Sequence, residues 1–141
     1  MKEVLIIMLL FFYRLYNIVF TGFVPNGDVP FYTEAADALL MPYTRETTTW
    51  REMSPVKLYE YLAAGRPIIS TDLPNLQEML AAEKEALFVP ENDGNAISEA
   101  LERLKARPEL VTEIAENNTR RAEQHSQVAR AKALIQIGLG E

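Results

Sequence analysis

The stretch Glu52–Thr71, EMSPVKLYEYLAAGRPIIST, holds a whole helix and the strand that follows it. Ser54 is placed as an N-cap, and Pro55 occupies the first helical position, where its missing N–H costs nothing. Leu58, Tyr61 and Leu62 then fall on one helical face. Gly65 stands at the C-terminal stop and Pro67 just beyond it, the usual order at a helix end. Pro67–Ser70 is a short, unbroken apolar run, which suits a strand covered on both faces, as in a parallel sheet.

The same rhythm extends in both directions. Apolar runs of this kind recur at Ile18–Phe20, Ala38–Met41 and Ala86–Val89. Helical stretches with start signals lie between and after them. Asp28 is placed to cap a helix with Pro30 in its first turn, carrying Tyr32, Ala35 and Ala36. Asp72 with Pro74 opens another bearing Leu76, Met79 and Leu80, and Asp93 one bearing Ile97, Leu101 and Leu104. Pro108 begins a fourth with Leu110 and Ile114, and a last amphipathic helix is expected from Gln127 to Ile137. Strand and helix alternating at this spacing predict βαβ units and an α/β layered fold.

Composition sets the outer limits. A chain of 141 residues with 48% apolar content can bury one core, and two full domains would not fit. The formal charge of -6 speaks against a nucleic-acid partner, which would need clustered Lys and Arg on the phosphates. Cysteine is absent, which excludes disulfides, thiolate metal sites and Cys nucleophiles and is compatible with a cytoplasmic setting. The apolar run Val4–Tyr13 is too short for a spanning helix, which takes about 20 residues. It lacks the basic lead and small-residue cleavage site of a signal peptide. A buried strand or core helix, a membrane-contacting segment and an artefactual start all remain open for it.

The chemistry is expected where ligands gather in open α/β sheets, at the carboxyl ends of the strands. The longest loop there, Pro42–Met53, feeds the helix capped at Ser54. First-turn amides without internal partners, together with the helix dipole, make an anion site suited to a phosphate or diphosphate. One turn later Glu60 lies on the face of Lys57 and Ala64, away from the core face, where a carboxylate can accept bonds from sugar hydroxyls. The plainer alternative for Glu60 is an exposed glutamate paired with Lys57. Trp50 is open to two readings, stacking on a base or sugar and anchoring the loop. His125 falls in the helical C-terminal region, where a surface or packing role is expected. No HExxH, P-loop, Gly-x-Ser-x-Gly or paired metal-ligand spacing occurs.

SPVKLYEYLAAGRPIIST, followed by DLPNLQEML and ALFVPENDGNAISEAL, resembles the C-terminal, donor-binding domain of family 4 glycosyltransferases of the GT-B fold. The resemblance is strongest to a branch with an S-P-x-K-L-x-E-Y-x-A-x-G-x-P signature, found in cell-wall and exopolysaccharide assembly. Upstream, NIVFTGFVPNGDVPFYTEAADALLMPY fits the same domain, so the likeness runs from Asn17 to Leu104 and more loosely to Leu134. It implies a Rossmann-like parallel sheet flanked by helices, incomplete at its N-terminus. It divides the chain into an apolar segment of uncertain role (1–16), a nucleotide-sugar-binding domain (17–126) and a C-terminal helix (127–141).

The resemblance also implies roles. The family's E-x7-E pattern falls on Glu52 and Glu60, with Glu60 on the donor ribose and Glu52, the candidate catalytic residue, near the donor sugar or phosphates. Main-chain amides of Ser54, Val56 and Lys57 would hold the diphosphate, with the Lys57 charge beside them. Phe23 and Val24 would lie near the nucleobase. The donor would be a nucleotide-diphosphate sugar and the acceptor a sugar or lipid-linked glycan, with peripheral contact at the inner face of the membrane. The sequence has no Asp-x-Asp metal clamp, so no metal or other cofactor is expected. A GT-B enzyme reacts in the cleft between two domains, so the missing N-terminal domain is an implied partner. The alternative is an inactive nucleotide-binding module.

Overall fold

The computed structural model describes residues 19–46, 50 and 56–125. Glu52, Ser54, the Val4–Tyr13 run and the helix expected at Gln127–Ile137 lie outside the described residues. In chain order the elements are α1 (Val29–Ala35), β1 (Leu39–Met41), α2 (Val56–Ala64), β2 (Ile68–Thr71), α3 (Pro74–Met79), β3 (Ala86–Val89), α4 (Gly94–Ala106) and α5 (Pro108–Gln124).

The three strands are parallel and stand in the order β1-β2-β3. Leu39 pairs with Ile68, and Ile68 in turn with Ala86. Each parallel step needs a crossover, supplied by α2 and then α3. Both helices pack on one face, where Met41, Ile68 and Ala86 meet Leu58, Leu62, Leu73, Leu76 and Leu80. On the other face Ile69, Leu87 and Val89 meet Ala100 and Leu104 of α4 and Leu110 and Ile114 of α5. All four residues of the central strand β2 are buried, so the run has no polar alternation to display. On β1, Leu40 points to the α4/α5 side beyond their cover and is 41% exposed.

Helix α5 docks at the end of the sheet where the strands begin. The buried Asn118 amide donates to the carbonyl of Arg66 (2.9 Å), just before β2, and to that of Glu85 (3.2 Å), just before β3. Arg121 donates to both carboxylate oxygens of the buried Glu85, at 3.0 and 2.7 Å. Gly65 ends α2 with φ +61°, and a Cβ there would lie 2.7 Å from Thr119 Oγ1 of α5. Two constraints thus meet at one position, a left-handed backbone and a close helix contact.

Four expectations need correction. Val19 and Phe20 of the Ile18–Phe20 run form no strand and are 84% and 56% exposed, because among the described residues no strand offers them a ladder. Tyr32 is exposed and α1 buries none of its residues. Leu73, not Asp72, is the N-cap of α3, since the residue before a proline is driven into the extended region (φ -108°, ψ 138°). Asp72 instead accepts from the amide of Gln77. In α4 the buried face runs through Ala100 and Leu104, leaving Leu101 at 42% exposure.

Candidate functional site

Parallel strands end together, so Met41, Thr71 and Val89 bring three loops to one end of the sheet. The loop after β1 is the longest, and cross-links hold it at two described points. The Arg45 backbone N–H (2.8 Å) and guanidinium (2.9 Å) both donate to the Glu91 carboxylate, in the loop after β3. The Asn75 side-chain amide, in the first turn of α3, donates to the Trp50 carbonyl at 2.8 Å. The Arg45 guanidinium also stands 5.7 Å over the Trp50 ring. Trp50 is thereby engaged in holding its loop, which favours the anchoring reading over ligand stacking.

Helix α2 opens at this end. Val56 is its first residue and is 68% exposed, with the half-buried Lys57 next to it. Glu60 follows one turn later, exposed on the same face. Among the described residues no ion pair joins Lys57 to Glu60. Helix α1 packs beside α2, and Arg66, just past α2, donates to the Glu34 carbonyl in the last turn of α1. The two helices are therefore neighbours, and Phe23 and Val24 precede α1 in the chain. Phe23 is 84% exposed. The structure thus gathers Val56, Lys57 and Glu60 on two turns of one helix. It shows no contact that brings Phe23 or Val24 onto them.

Behind α2, Tyr61 donates a long hydrogen bond (3.4 Å) to the Leu40 carbonyl of β1. Burial raises its phenol above the ordinary 10.0, and Tyr43 and the charge of Glu60 push the same way. It is a neutral donor throughout the physiological range.

A cavity of about 140 Å³ opens at the strand ends toward the α4/α5 side. Leu40, Ile69, Val89 and Ile97 make its apolar wall, with Thr71 and Asp93 at its polar margin. None of Phe23, Val24, Val56, Lys57 or Glu60 lines it. The features expected to bind an anion and a polyol lie on a different, open surface. Arg45, Glu91 and Asn75 at this end carry no local signal in the sequence. Arg45 and Glu91 are 46 residues apart, and only the fold brings them together.

Comparison with known proteins follows the same lines. The family model described as glycosyl transferases group 1 matches residues 10–107. Over 66 residues the chain is 39% identical to TuaH of Bacillus subtilis (strain 168), whose name assigns it to teichuronic acid biosynthesis as a glycosyltransferase. That match covers 47% of this chain and 16% of TuaH. Over 90 residues it is 34% identical to WcaL of Escherichia coli (strain K12), named for colanic acid biosynthesis, covering 63% of this chain and 22% of WcaL. The chain thus spans about a fifth of the length of these curated relatives. Among solved structures, Anabaena HepE in complex with UDP superposes with a TM-score of 0.63 at 17% identity, over 80% of this chain and 30% of HepE.

Proposed function

Since the chain belongs to the group 1 glycosyl transferases, we propose that it is the donor-binding part of a hexosyltransferase with the GT-B fold. The sugar passes from a nucleotide-diphosphate sugar to an acceptor hydroxyl with retention, in cell-wall or exopolysaccharide assembly. The observation that carries this reading is α2 itself. It opens at the carboxyl ends of the strands with Lys57 in its first turn, and it exposes Glu60 one turn later without pairing the two.

The chemistry follows from those positions. The amides of Val56 and Lys57 and the positive end of the helix dipole stabilise the diphosphate as it leaves, and the ammonium of Lys57 adds a full charge. Glu60 accepts from the two ribose hydroxyls, and Phe23 and Val24 flank the base. Glu52 and Ser54 belong to the same reading by their place in the sequence. Transfer is proposed as metal-independent, because the sequence offers amides and Lys57 to the diphosphate and no Asp-x-Asp pair. The acceptor domain and a sugar or lipid-linked glycan are supplied from outside residues 17–126. The setting is cytoplasmic, with peripheral contact at the membrane's inner face. Among the described residues no helix is long and apolar enough to cross a membrane.

The HepE complexes with UDP and with UDP-glucose make uridine nucleotides the first ligands to test. The 141-residue chain is titrated with UDP and assayed for transfer of labelled sugar from a panel of nucleotide sugars. Loss of a charged hydrogen bond amounts to roughly 1.5–3 kcal/mol, so Glu60→Ala is expected to weaken UDP about ten- to hundredfold. Unchanged affinity would reject the ribose role, and a product of inverted configuration would reject retention. The alternative reading is an inactive nucleotide-binding module. Binding without transfer would select it.

A further inference from the structure

Helix α1 buries none of its residues, although it packs beside α2. Phe31 and Tyr32 on it, and Val19 and Phe20 ahead of it, are each more than half exposed. Phe23 shares that exposure but belongs to the proposed nucleotide site. Among the described residues only one other large apolar side chain, Val56, stands so far out. A turn closed by the Asp28 N–H on the Pro25 carbonyl (2.8 Å) lies between the two groups, so none of the four is far along the chain from it. Single exposed apolar residues are ordinary, whereas four around one turn mark a surface that something covers. Its charge is one-sided. From Val19 to Thr44 the sequence has Asp28, Glu34 and Asp37 and no Lys or Arg. Arg66 reaches the stretch, and donates to the Glu34 main-chain carbonyl rather than to a carboxylate.

Three occupants compete for this surface. An anionic membrane face attracts Lys and Arg, which the stretch lacks. A second copy in a two-fold contact would bring two acidic stretches together. The third is the apolar run Val4–Tyr13, outside the described residues but tied to them by the chain. Only Arg14–Ile18 stand between Tyr13 and Val19, so the end of the run lies within about 20 Å of Val19, at roughly 3.3–3.6 Å per residue. Such a tether gives an effective concentration on the order of millimolar, which a separate partner rarely reaches. The run is apolar throughout, and Lys2 and Arg14 flank it against the single acid Glu3. Its charge therefore complements the acidic stretch. We propose that Val4–Tyr13 packs on the outer flank of α1 and covers Phe31 and Tyr32. The run is then a cover for this domain and no membrane anchor. This holds whatever ligand α2 takes.

Because the chain has no cysteine, Phe31→Cys and Tyr32→Cys each supply one thiol for a benzophenone photocrosslinker, and neither removes a buried side chain. Trypsin then separates Glu3–Arg14 from Leu15–Arg45, so a link between run and helix joins two peptides. The 141-residue chain is illuminated after mixing with an equal amount of a nitrogen-15 copy. Position 31 or 32 is expected to link to Glu3–Arg14 within single-isotope chains. Leu101→Cys on α4, which packs on the opposite face of the sheet from α2, is expected to give no such link. Ile7→Asp places a charge in the run and is expected to lower the yield about tenfold, with far-ultraviolet circular dichroism unchanged. No link to Glu3–Arg14, or equal yields from positions 31 and 101, would overturn the proposal. Links between isotopes assign the surface to a second copy, and links to lipid when phosphatidylglycerol vesicles are added assign it to a membrane; either result overturns it. An undiminished yield in Ile7→Asp overturns it too, since the run is then not held by its apolar side chains. Should Ile7→Asp alter helical content, the comparison of positions 31 and 101 decides alone.

Discussion

Replacing Arg121 with Met removes the cation from a carboxylate that the fold has already buried. Glu85 is 8% exposed, and its Oε2 also accepts the Ala81 backbone N–H at 2.7 Å. Losing one partner of a buried pair costs about 3–5 kcal/mol, because the remaining charge is left uncompensated. Two features reduce that figure here. The Ala81 amide stays on the carboxylate, and the Arg121 side chain is 29% exposed, so water reaches the gap. A loss of about 2–3 kcal/mol is expected for Arg121→Met, which for a domain of this size lowers the melting temperature by on the order of 10 °C. Urea unfolding followed by circular dichroism measures it, with an unchanged denaturant slope as the sign that two-state behaviour persists. The decisive variant is Arg121→Met with Glu85→Gln. The neutral amide still accepts from Ala81 and carries no charge to strand, so stability is expected to return to within about 1 kcal/mol of the parent. A single variant losing less than about 0.5 kcal/mol, or a double variant no better than the single, would refute the reasoning.

Gly65→Ala places a Cβ on a left-handed residue and 2.7 Å from Thr119 Oγ1, and is expected to cost about 2 kcal/mol. Thr119→Ala removes the contact, so a double-mutant cycle by urea unfolding is expected to give a coupling of about 1 kcal/mol; zero coupling would leave only the backbone contribution. Glu83 accepts from Arg103 (Nη1 to Oε1, 3.0 Å), and that bond first, with the charges of Arg103 and Arg107, holds its carboxyl below the ordinary 4.5. A depressed carboxyl stabilises the fold above its unfolded pKa and loses that effect as pH falls through the folded value. Arg103→Ala is therefore expected to cost under about 1 kcal/mol at pH 7 and nothing once Glu83 is protonated well below pH 4, as melting curves across pH would record.

How far the sequence discloses this molecule depends on the range of the interaction concerned. The helix–strand unit from Val56 to Thr71 was legible because its signals are local: Leu58 and Leu62 on one face, Gly65 at the stop, Pro67 after it. Leu73 displaced Asp72 as a cap because the steric demand of Pro74 outweighs the preference of a side chain for that place. Leu101 reads as part of the apolar face because an apolar residue at helical spacing is indistinguishable from its neighbour Ala100 until the partner helix is known. Val19 and Phe20 have the composition of a strand, but a strand exists only where another offers its edge. At the site, Lys57 and Glu60 could be read from spacing alone. Arg45, Glu91 and Asn75 could not, since their partners stand 46 and 25 residues away along the chain.

The Asn118 amide bears on how the domain comes into being. It joins Arg66, 52 residues earlier, and Glu85, 33 residues earlier, to a helix that follows all three strands in the chain. As the polypeptide leaves the ribosome, β1, β2 and β3 emerge first, and until α5 follows the carbonyls of Arg66 and Glu85 have only solvent to bond with. The nascent sheet is therefore provisional, its lower rim wet and its Glu85 carboxylate without Arg121. Arrival of α5 satisfies both carbonyls with one side chain. Closure of the rim where the strands begin thus waits on the last of the described helices to be made.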